Sequence, residues 1–69
     1  MSSGLINFLR DERTRLGWTQ AELAERVGVS RKTINTVENG VFIPSTVLAL
    51  KLAAAIGKPV EALFKLDEA

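Results

Sequence analysis

The feature that most constrains the fold is a connection of only three residues, 28–30, between two segments with helical patterns. Gly28 suits the left-handed conformation that follows a helix, and Ser30 is a strong N-cap for a helix over about residues 31–39. Two helices joined by so short a turn cross steeply. The sequence therefore predicts a helix-turn-helix motif over residues 20–39.

The segment before this connection begins with a capping box. Thr19 can accept a hydrogen bond from the Glu22 amide, so a helix is expected over about residues 20–27. Ala24 is small at the point where the next helix must approach closely. The apolar residues expected to fill the angle between the two helices are Leu23, Val27, Val29, Ile34 and Val37.

Three further helices flank the motif. Apolar residues at helical spacing predict a first helix that ends near Leu16, although residues 5–7 could instead form a short strand. Ser45 can cap a fourth helix over about residues 46–56, and a last short helix is expected over about residues 60–64. The predicted fold class is all-α, with five helices and room for a short pair of terminal strands.

The length of 69 residues leaves room for one core, so residues 1–69 are expected to form a single domain. A domain of this size buries only about 60% of its unfolded surface. Association with a second copy is therefore expected to add stability. The net charge of +1 does not by itself indicate a nucleic-acid partner.

The absence of cysteine and histidine excludes several kinds of chemistry. Disulfides, zinc sites of the Cys/His kind and imidazole catalysis are ruled out, and we expect neither a metal nor a cofactor. The first residues lack a signal-peptide pattern, and the most apolar stretch, residues 47–56, is too short to span a bilayer. A cytoplasmic protein with no membrane partner is expected.

Several of these residues together resemble a known family. The segments Gln20-Ala21-Glu22-Leu23-Ala24, Gly28-Val29-Ser30 and Glu38-Asn39-Gly40, with Ile34 between them, are similar to the Cro and phage-repressor family, also called the Xre family. The resemblance covers about residues 9–64. It implies a lambda-repressor-like fold, with the third helix in the DNA major groove, and a small prokaryotic or phage transcriptional regulator.

Two cations at the start of the third helix support this interpretation independently. Arg31 and Lys32 lie in the first turn, where the helix dipole is positive and disfavours them. Double-stranded DNA would convert this unfavourable position into contacts with phosphates and guanine. Asn35 and Thr36 lie one turn further on the outer face. We expect all four to contact base edges.

Three other residues are expected to contact phosphates. Gln20 opens the second helix, Ser30 caps the third, and Asn39 lies at its end. Each also has a purely structural explanation, as a solvent-facing residue, a cap or a helix end. The resemblance further implies that Arg13 and Glu38 form a buried ion pair that joins the first helix to the third.

Apolar residues at two places suggest protein contacts. Phe42 is expected in the core or as a cap, whereas Val41 and Ile43 are expected to be exposed, and a patch of these three could bind a protein partner. The two ends of the chain are also apolar and could pack together or form a homodimer interface. The candidate dimer contacts are Leu5, Ile6, Leu63, Phe64 and Leu66.

The leading functional hypothesis is a dimeric repressor that binds an inverted repeat in double-stranded DNA. The alternative is an antitoxin or adaptor that uses the same scaffold for protein–protein interaction. An enzyme is the weakest hypothesis, because the sequence has no phosphate-binding glycine loop, metal-ligand cluster or nucleophile paired with a base.

Overall fold

Five helices and two short strands make up the fold of residues 4–67, the part of the chain that the computed structural model describes. The domain predicted over residues 1–69 extends beyond the described residues at both ends. The predicted class of five helices with a terminal strand pair is confirmed. The elements are β1 (Leu5–Asn7), α1 (Leu9–Arg15), α2 (Gln20–Val27), α3 (Arg31–Glu38), α4 (Thr46–Ile56), α5 (Val60–Leu63) and β2 (Phe64–Leu66).

Side-chain caps explain where three of the helices begin. Thr19 Oγ1 accepts a hydrogen bond from the Glu22 amide at 3.1 Å, and the Thr19 amide donates to Glu22 Oε1 at 2.9 Å, so the predicted capping box is present. Ser30 and Ser45 each accept a hydrogen bond at 3.1 Å from the backbone amide three residues further on. Helices α2, α3 and α4 therefore begin where the sequence predicts.

The turn between α2 and α3 depends on a glycine. Gly28 has φ 76° and ψ 34°, a left-handed conformation that residues with a Cβ rarely adopt. The following amide, that of Val29, donates to the Ala24 carbonyl at 3.0 Å and closes the end of α2. This reversal brings Ser30 into an extended conformation, φ −77° and ψ 155°, from which α3 starts.

The core lies between α2, α3 and α4 and includes one residue from each of α1 and α5. Ala24 is only 3% exposed, as expected for a small residue at a close helix contact, and the predicted burial of Val27 is also confirmed. Val29 packs against the edge of the core and is partly buried. The apolar core residues that are 0% exposed are Leu9, Leu23, Ile34, Val37, Leu52 and Leu63.

The two ends of the described chain pair as antiparallel strands. Leu5 lies opposite Leu66, and Asn7 lies opposite Phe64. Residues 5–7 are therefore a strand, and α5 ends one residue earlier than predicted because Phe64 joins β2. Helix α3 is likewise one residue shorter than predicted, with Asn39 as its C-cap.

Two apolar residues lie differently from their predictions. Leu63, a predicted dimer contact, is 0% exposed because α5 turns it into the core, so it cannot contribute to a surface. Phe42, predicted in the core or as a cap, is 47% exposed. The amides of Val41 and Phe42 both donate to the Thr36 carbonyl, which holds this loop on the outside of α3. Val41 and Ile43 are exposed, as predicted.

The described helices are short, and the longest of them, α4, has 11 residues. Within residues 4–67, no helix combines the length and the apolar character that crossing a bilayer requires. The same residues contain no group of three or more His, Cys, Asp or Glu side chains arranged to hold a metal ion.

Candidate nucleic-acid interface

Helix α3 buries one face and exposes the other. Ile34 and Val37 are 0% exposed and anchor the helix in the core. Arg31, Lys32 and Asn35 are exposed. The first turn of α3 contains no acidic residue, and among residues 4–67 neither cation of that turn forms an ion pair. Both positive charges are therefore available to an anion outside the domain.

Thr36 is partly exposed, and its hydroxyl group is turned towards the helix. Its Oγ1 donates to the carbonyls of Lys32 at 3.1 Å and Thr33 at 3.0 Å. The side chain lines a shallow depression together with Ser30 and Phe42. The hydroxyl proton is therefore used within α3, whereas the hydroxyl oxygen can still accept a hydrogen bond.

A second shallow depression joins the start of α2 to the start of α3. The residues that line it are Arg13, Thr19, Gln20, Ala21 and Arg31. The first backbone amides of a helix have no partner within the helix, and they carry the positive end of the helix dipole. The depression therefore has the donors and the charge that bind a phosphate.

Glu38, the last residue of α3, connects three helices through one buried carboxylate. Arg13 of α1 donates to it twice, from Nε to Oε2 at 2.6 Å and from Nη2 to Oε1 at 3.1 Å. The side chains of Arg13 and Glu38 are 12% and 0% exposed, so the pair is a buried one. Gln20 Nε2 of α2 also donates to Oε1, at 3.1 Å. The ion pair and this amide hold α3 at a set angle to α1 and α2.

The pKa of Glu38 reflects two opposing effects. Burial raises it, because the charged carboxylate loses contact with water. Hydrogen bonds from Arg13 and Gln20, with the positive charge of Arg13, lower the pKa by more, so that it lies below its ordinary value. The carboxylate is thus charged in the folded domain at neutral pH.

The sequence interpretation missed Arg10, which extends this group of residues to the surface. Arg10 Nε donates to Glu38 Oε1 at 3.3 Å, and Arg10 Nη2 donates to Asn39 Oδ1 at 2.6 Å. Asn39 Nδ2 in turn donates to Asn35 Oδ1 at 3.2 Å. The spacing of Arg10 and Arg13, three residues apart on one helix face, is the signal that could have found it.

Six of the seven predicted interface residues fall into two groups. Arg31 and Lys32 form no ion pair among residues 4–67, and Ser30 caps α3 beside them. In contrast, Asn35 joins two other polar side chains, because its Oδ1 accepts hydrogen bonds from Gln20 Nε2 and from Asn39 Nδ2, each at 3.2 Å.

Comparison with known proteins assigns this arrangement to a family. A family profile for helix-turn-helix proteins matches residues 9–63, which include all five helices of the described structure. The chain belongs to the Xre-type helix-turn-helix family. The resemblance that the sequence motifs indicated is therefore confirmed.

Relatives of this helix-turn-helix protein match over most of their length. One from Methanothermobacter thermautotrophicus, named as an uncharacterised HTH-type transcriptional regulator, is 51% identical over 62 residues, which are 88% of this chain and 90% of the relative. YgzD of Bacillus subtilis, named in the same way, is 40% identical over 62 residues, which are 90% of this chain and 94% of YgzD. The chain is a helix-turn-helix transcriptional regulator, and the prediction that it is not an enzyme is confirmed.

Solved structures share the fold. The restriction-modification controller protein C.AhdI from Aeromonas hydrophila superposes with a TM-score of 0.74 and 38% identity, over 77% of this chain and 80% of C.AhdI. The hypothetical transcription factor NHTF from Neisseria superposes with a TM-score of 0.72 and 33% identity, over 75% of this chain and 58% of NHTF.

An exposed apolar surface lies beside β1, α4 and β2 of this helix-turn-helix domain. Val47 and Leu50 of α4 are 63% and 57% exposed, and neither was predicted as a surface residue. Leu50 lines a depression together with Ile43, Leu5 and Phe64. We define the apolar surface as these five residues. It includes Ile43 from the predicted patch at residues 41–43, and Leu5 and Phe64 from the predicted patch at the chain ends.

Proposed function

We propose that this chain represses transcription by binding an inverted repeat in double-stranded DNA as a homodimer, in the cytoplasm. Helix α3 enters the major groove, where Arg31, Lys32, Asn35 and Thr36 contact base edges. The observation that carries this proposal is the pair of exposed cations at the start of α3. They have no ion-pair partner among residues 4–67, although the helix itself is anchored by two fully buried residues.

Phosphate contacts position the domain in this proposal. The depression between the starts of α2 and α3 receives one phosphate, held by the backbone amides at Gln20 and by Arg31. Ser30 and Asn39, at the two ends of α3, contact the backbone on either side. These contacts set the register, and the base-edge residues set the sequence preference.

The apolar surface supports the homodimer. Large exposed apolar groups that lie together on a small domain indicate a protein contact. A two-fold axis at this surface would present two copies of α3 to successive major grooves, about 34 Å apart. The adaptor alternative is not favoured, since the relatives described above are named as transcriptional regulators.

The test is selection from a random duplex library with the purified chain at about 150 mM salt, where non-specific phosphate binding is weak. Enrichment of a two-fold symmetric site is expected. Arg31→Ala with Lys32→Ala should then weaken binding to that site at least about thirtyfold, since a good base contact contributes about 1–3 kcal/mol.

A matched control removes the same charge elsewhere. Lys51→Ala with Lys58→Ala changes two exposed lysines in and after α4, of which Lys58 pairs with Glu12 at 3.1 Å. This variant should lose affinity only through its lower net charge. If no motif is enriched, or if the Arg31/Lys32 variant binds the enriched site as tightly as the control variant, the proposal is refuted.

A further inference from the structure

Three side-chain amides, one from the start of α2, one within α3 and one at the C-cap of α3, form a small group with a defined hydrogen-bond direction. We define the amide cluster as Gln20, Asn35 and Asn39. Asn35 Oδ1 is at its centre and accepts two hydrogen bonds, from Gln20 Nε2 and from Asn39 Nδ2, each at 3.2 Å. A carbonyl oxygen has two lone pairs, so both acceptor positions of Asn35 are used within the protein.

The carboxylate of Glu38 determines the orientation of the Gln20 amide, on one side of the amide cluster. Gln20 Nε2 also donates to Glu38 Oε1 at 3.1 Å. An ionised carboxylate only accepts hydrogen bonds, and the pKa of Glu38 is lowered by Arg13 and Gln20 despite burial. Gln20 must therefore direct its amino group, and not its oxygen, towards Glu38 and Asn35.

The guanidinium group of Arg10 determines the orientation of the Asn39 amide, on the other side of the amide cluster. Arg10 Nη2 donates to Asn39 Oδ1 at 2.6 Å, and a guanidinium has no acceptor. Asn39 must therefore direct its oxygen towards Arg10 and its amino group towards Asn35. Both neighbours of Asn35 therefore direct donors towards it. If the Asn35 amide were turned by 180°, its Nδ2 would face these two donors and could not form hydrogen bonds with them.

We propose that Asn35 consequently presents only hydrogen-bond donors to DNA, and that Arg10 is a specificity-determining positioning residue that does not itself touch a base. This inference rests on the proposed function, in which Asn35 contacts a base edge. Asn35 is exposed, and its Nδ2 donates to no acceptor within residues 4–67. That amino group is the part of Asn35 that is free to contact a base.

A donor-only asparagine reads a different base from an unrestrained one. An asparagine with a free oxygen and a free amino group pairs with adenine at N6 and N7. The restrained amino group of Asn35 instead matches guanine, whose O6 and N7 are both acceptors in the major groove. Cytosine, which presents the N4 donor there, is the poorest match. The expected preference is guanine over adenine.

The experiment uses the full chain and the duplex selected by the wild-type protein. Asn35→Ala is compared with wild type at each position of this duplex. The position at which the variant discriminates less well among the four base pairs is the one that depends on Asn35. Competition binding of four duplexes that differ only at this position then gives the wild-type preference. Guanine is expected to exceed adenine by at least about fivefold, the lower range for a specific base contact.

Two substitutions test the direction of the amide. Asn35→Asp places an acceptor outward in place of the donors, so the preference at this position should move from guanine towards bases that present a donor, adenine and cytosine. Arg10→Met frees Asn39 to turn and so removes one of the two donors that hold Asn35 Oδ1, while Gln20, oriented by Glu38, keeps the other. The guanine-to-adenine ratio should then fall at least about twofold at this position, without a comparable change at other positions.

Arg15→Met is the matched control for Arg10→Met. Arg15 is also an exposed arginine of α1, pairs with Glu12 at 2.8 Å, and has 50% side-chain exposure against 54% for Arg10. Its replacement should leave the preference unchanged.

The outcomes separate this inference from the proposed function. A wild-type preference for adenine, a ratio unaffected by Arg10→Met, or no position that depends on Asn35 would each overturn the inference, while an enriched two-fold site would still support the proposed function. Failure to enrich any site would refute the proposed function, and the inference with it.

Discussion

Replacement of Glu38 by glutamine should destabilise the domain more than any other nearly isosteric change on its polar side. Glutamine keeps the shape of the side chain but removes its charge. It also turns one of the two acceptors that face Arg13 into a donor. Arg13 would then keep the Trp18 carbonyl, at 2.7 Å, and only one acceptor at position 38.

The structure sets the size of the effect. Breaking a buried ion pair by removing one partner costs about 3–5 kcal/mol. In this domain the side chains of Glu38 and Arg13 are 0% and 12% exposed. The third member of the group, Arg10, has 54% side-chain exposure, so one side of the group lies in contact with water. We therefore expect a loss at or just below the lower limit of this range, about 2–3 kcal/mol. For a chain of 69 residues, whose free energy of unfolding is roughly 3–10 kcal/mol, this is a large fraction.

The assay is urea unfolding followed by the fluorescence of Trp18, the single tryptophan. Trp18 packs against the core, and the Arg26 guanidinium lies 4.1 Å from the centre of its ring, so its environment reports on folding. With a slope of about 1 kcal/mol per M, the midpoint should fall by about 2–3 M. The protein concentration is kept constant, because the proposed dimerisation would make stability depend on it.

A double-mutant cycle tests the cause. In an Arg13→Met background, Glu38→Gln should cost about 1 kcal/mol or less, since no buried guanidinium is left without its partner. A cost below about 1 kcal/mol in the wild-type background, or equal costs in both backgrounds, would refute the reasoning.

Two further predictions concern pH and assembly. The pKa of Glu38 is lower in the folded domain than in the unfolded chain. The stability that its charge contributes is therefore fully present above about pH 4.3 and is lost as the pH falls through the folded pKa. Urea midpoints measured at pH 7, 4 and 3 should fall more steeply for wild type than for Glu38→Gln. Leu50→Asp should weaken the proposed dimer at least about tenfold in sedimentation equilibrium, because it places a charge on the apolar surface. Ala54→Asp, on the side of α4 near Arg26 and Lys51, should leave the mass unchanged, and equal masses for both variants would argue against this surface as the interface.

The helix limits were largely predictable because they depend on local chemistry. Thr19, Ser30 and Ser45 each satisfy a free backbone amide three residues further on, and Gly28 can adopt the left-handed conformation without a steric cost. The ends of α3 and α5 were each misplaced by one residue. At α5 the reason is tertiary, since Phe64 leaves the helix to pair with Asn7.

The apolar surface was only partly predictable, for a reason specific to α4. Residues 46–56 are apolar on nearly every face, so helical spacing cannot indicate which residues the rest of the chain will cover. Leu52 is fully buried, whereas Leu50, only two residues away, is 57% exposed. Phe42 was misplaced because a short apolar run outside a helix has no period from which burial can be inferred.

The sequence by itself determined the helix-turn-helix, its family and the two cations at the start of α3, because caps, turn residues and motif spacing act over a few positions. Only the tertiary structure decided how Arg10, Gln20, Asn35 and Glu38 meet, since these side chains come from three different helices and their hydrogen bonds exist only when those helices are packed. The same holds for the pairing of β1 with β2, since these two three-residue strands are far apart in the sequence and the packed helices between them bring them together.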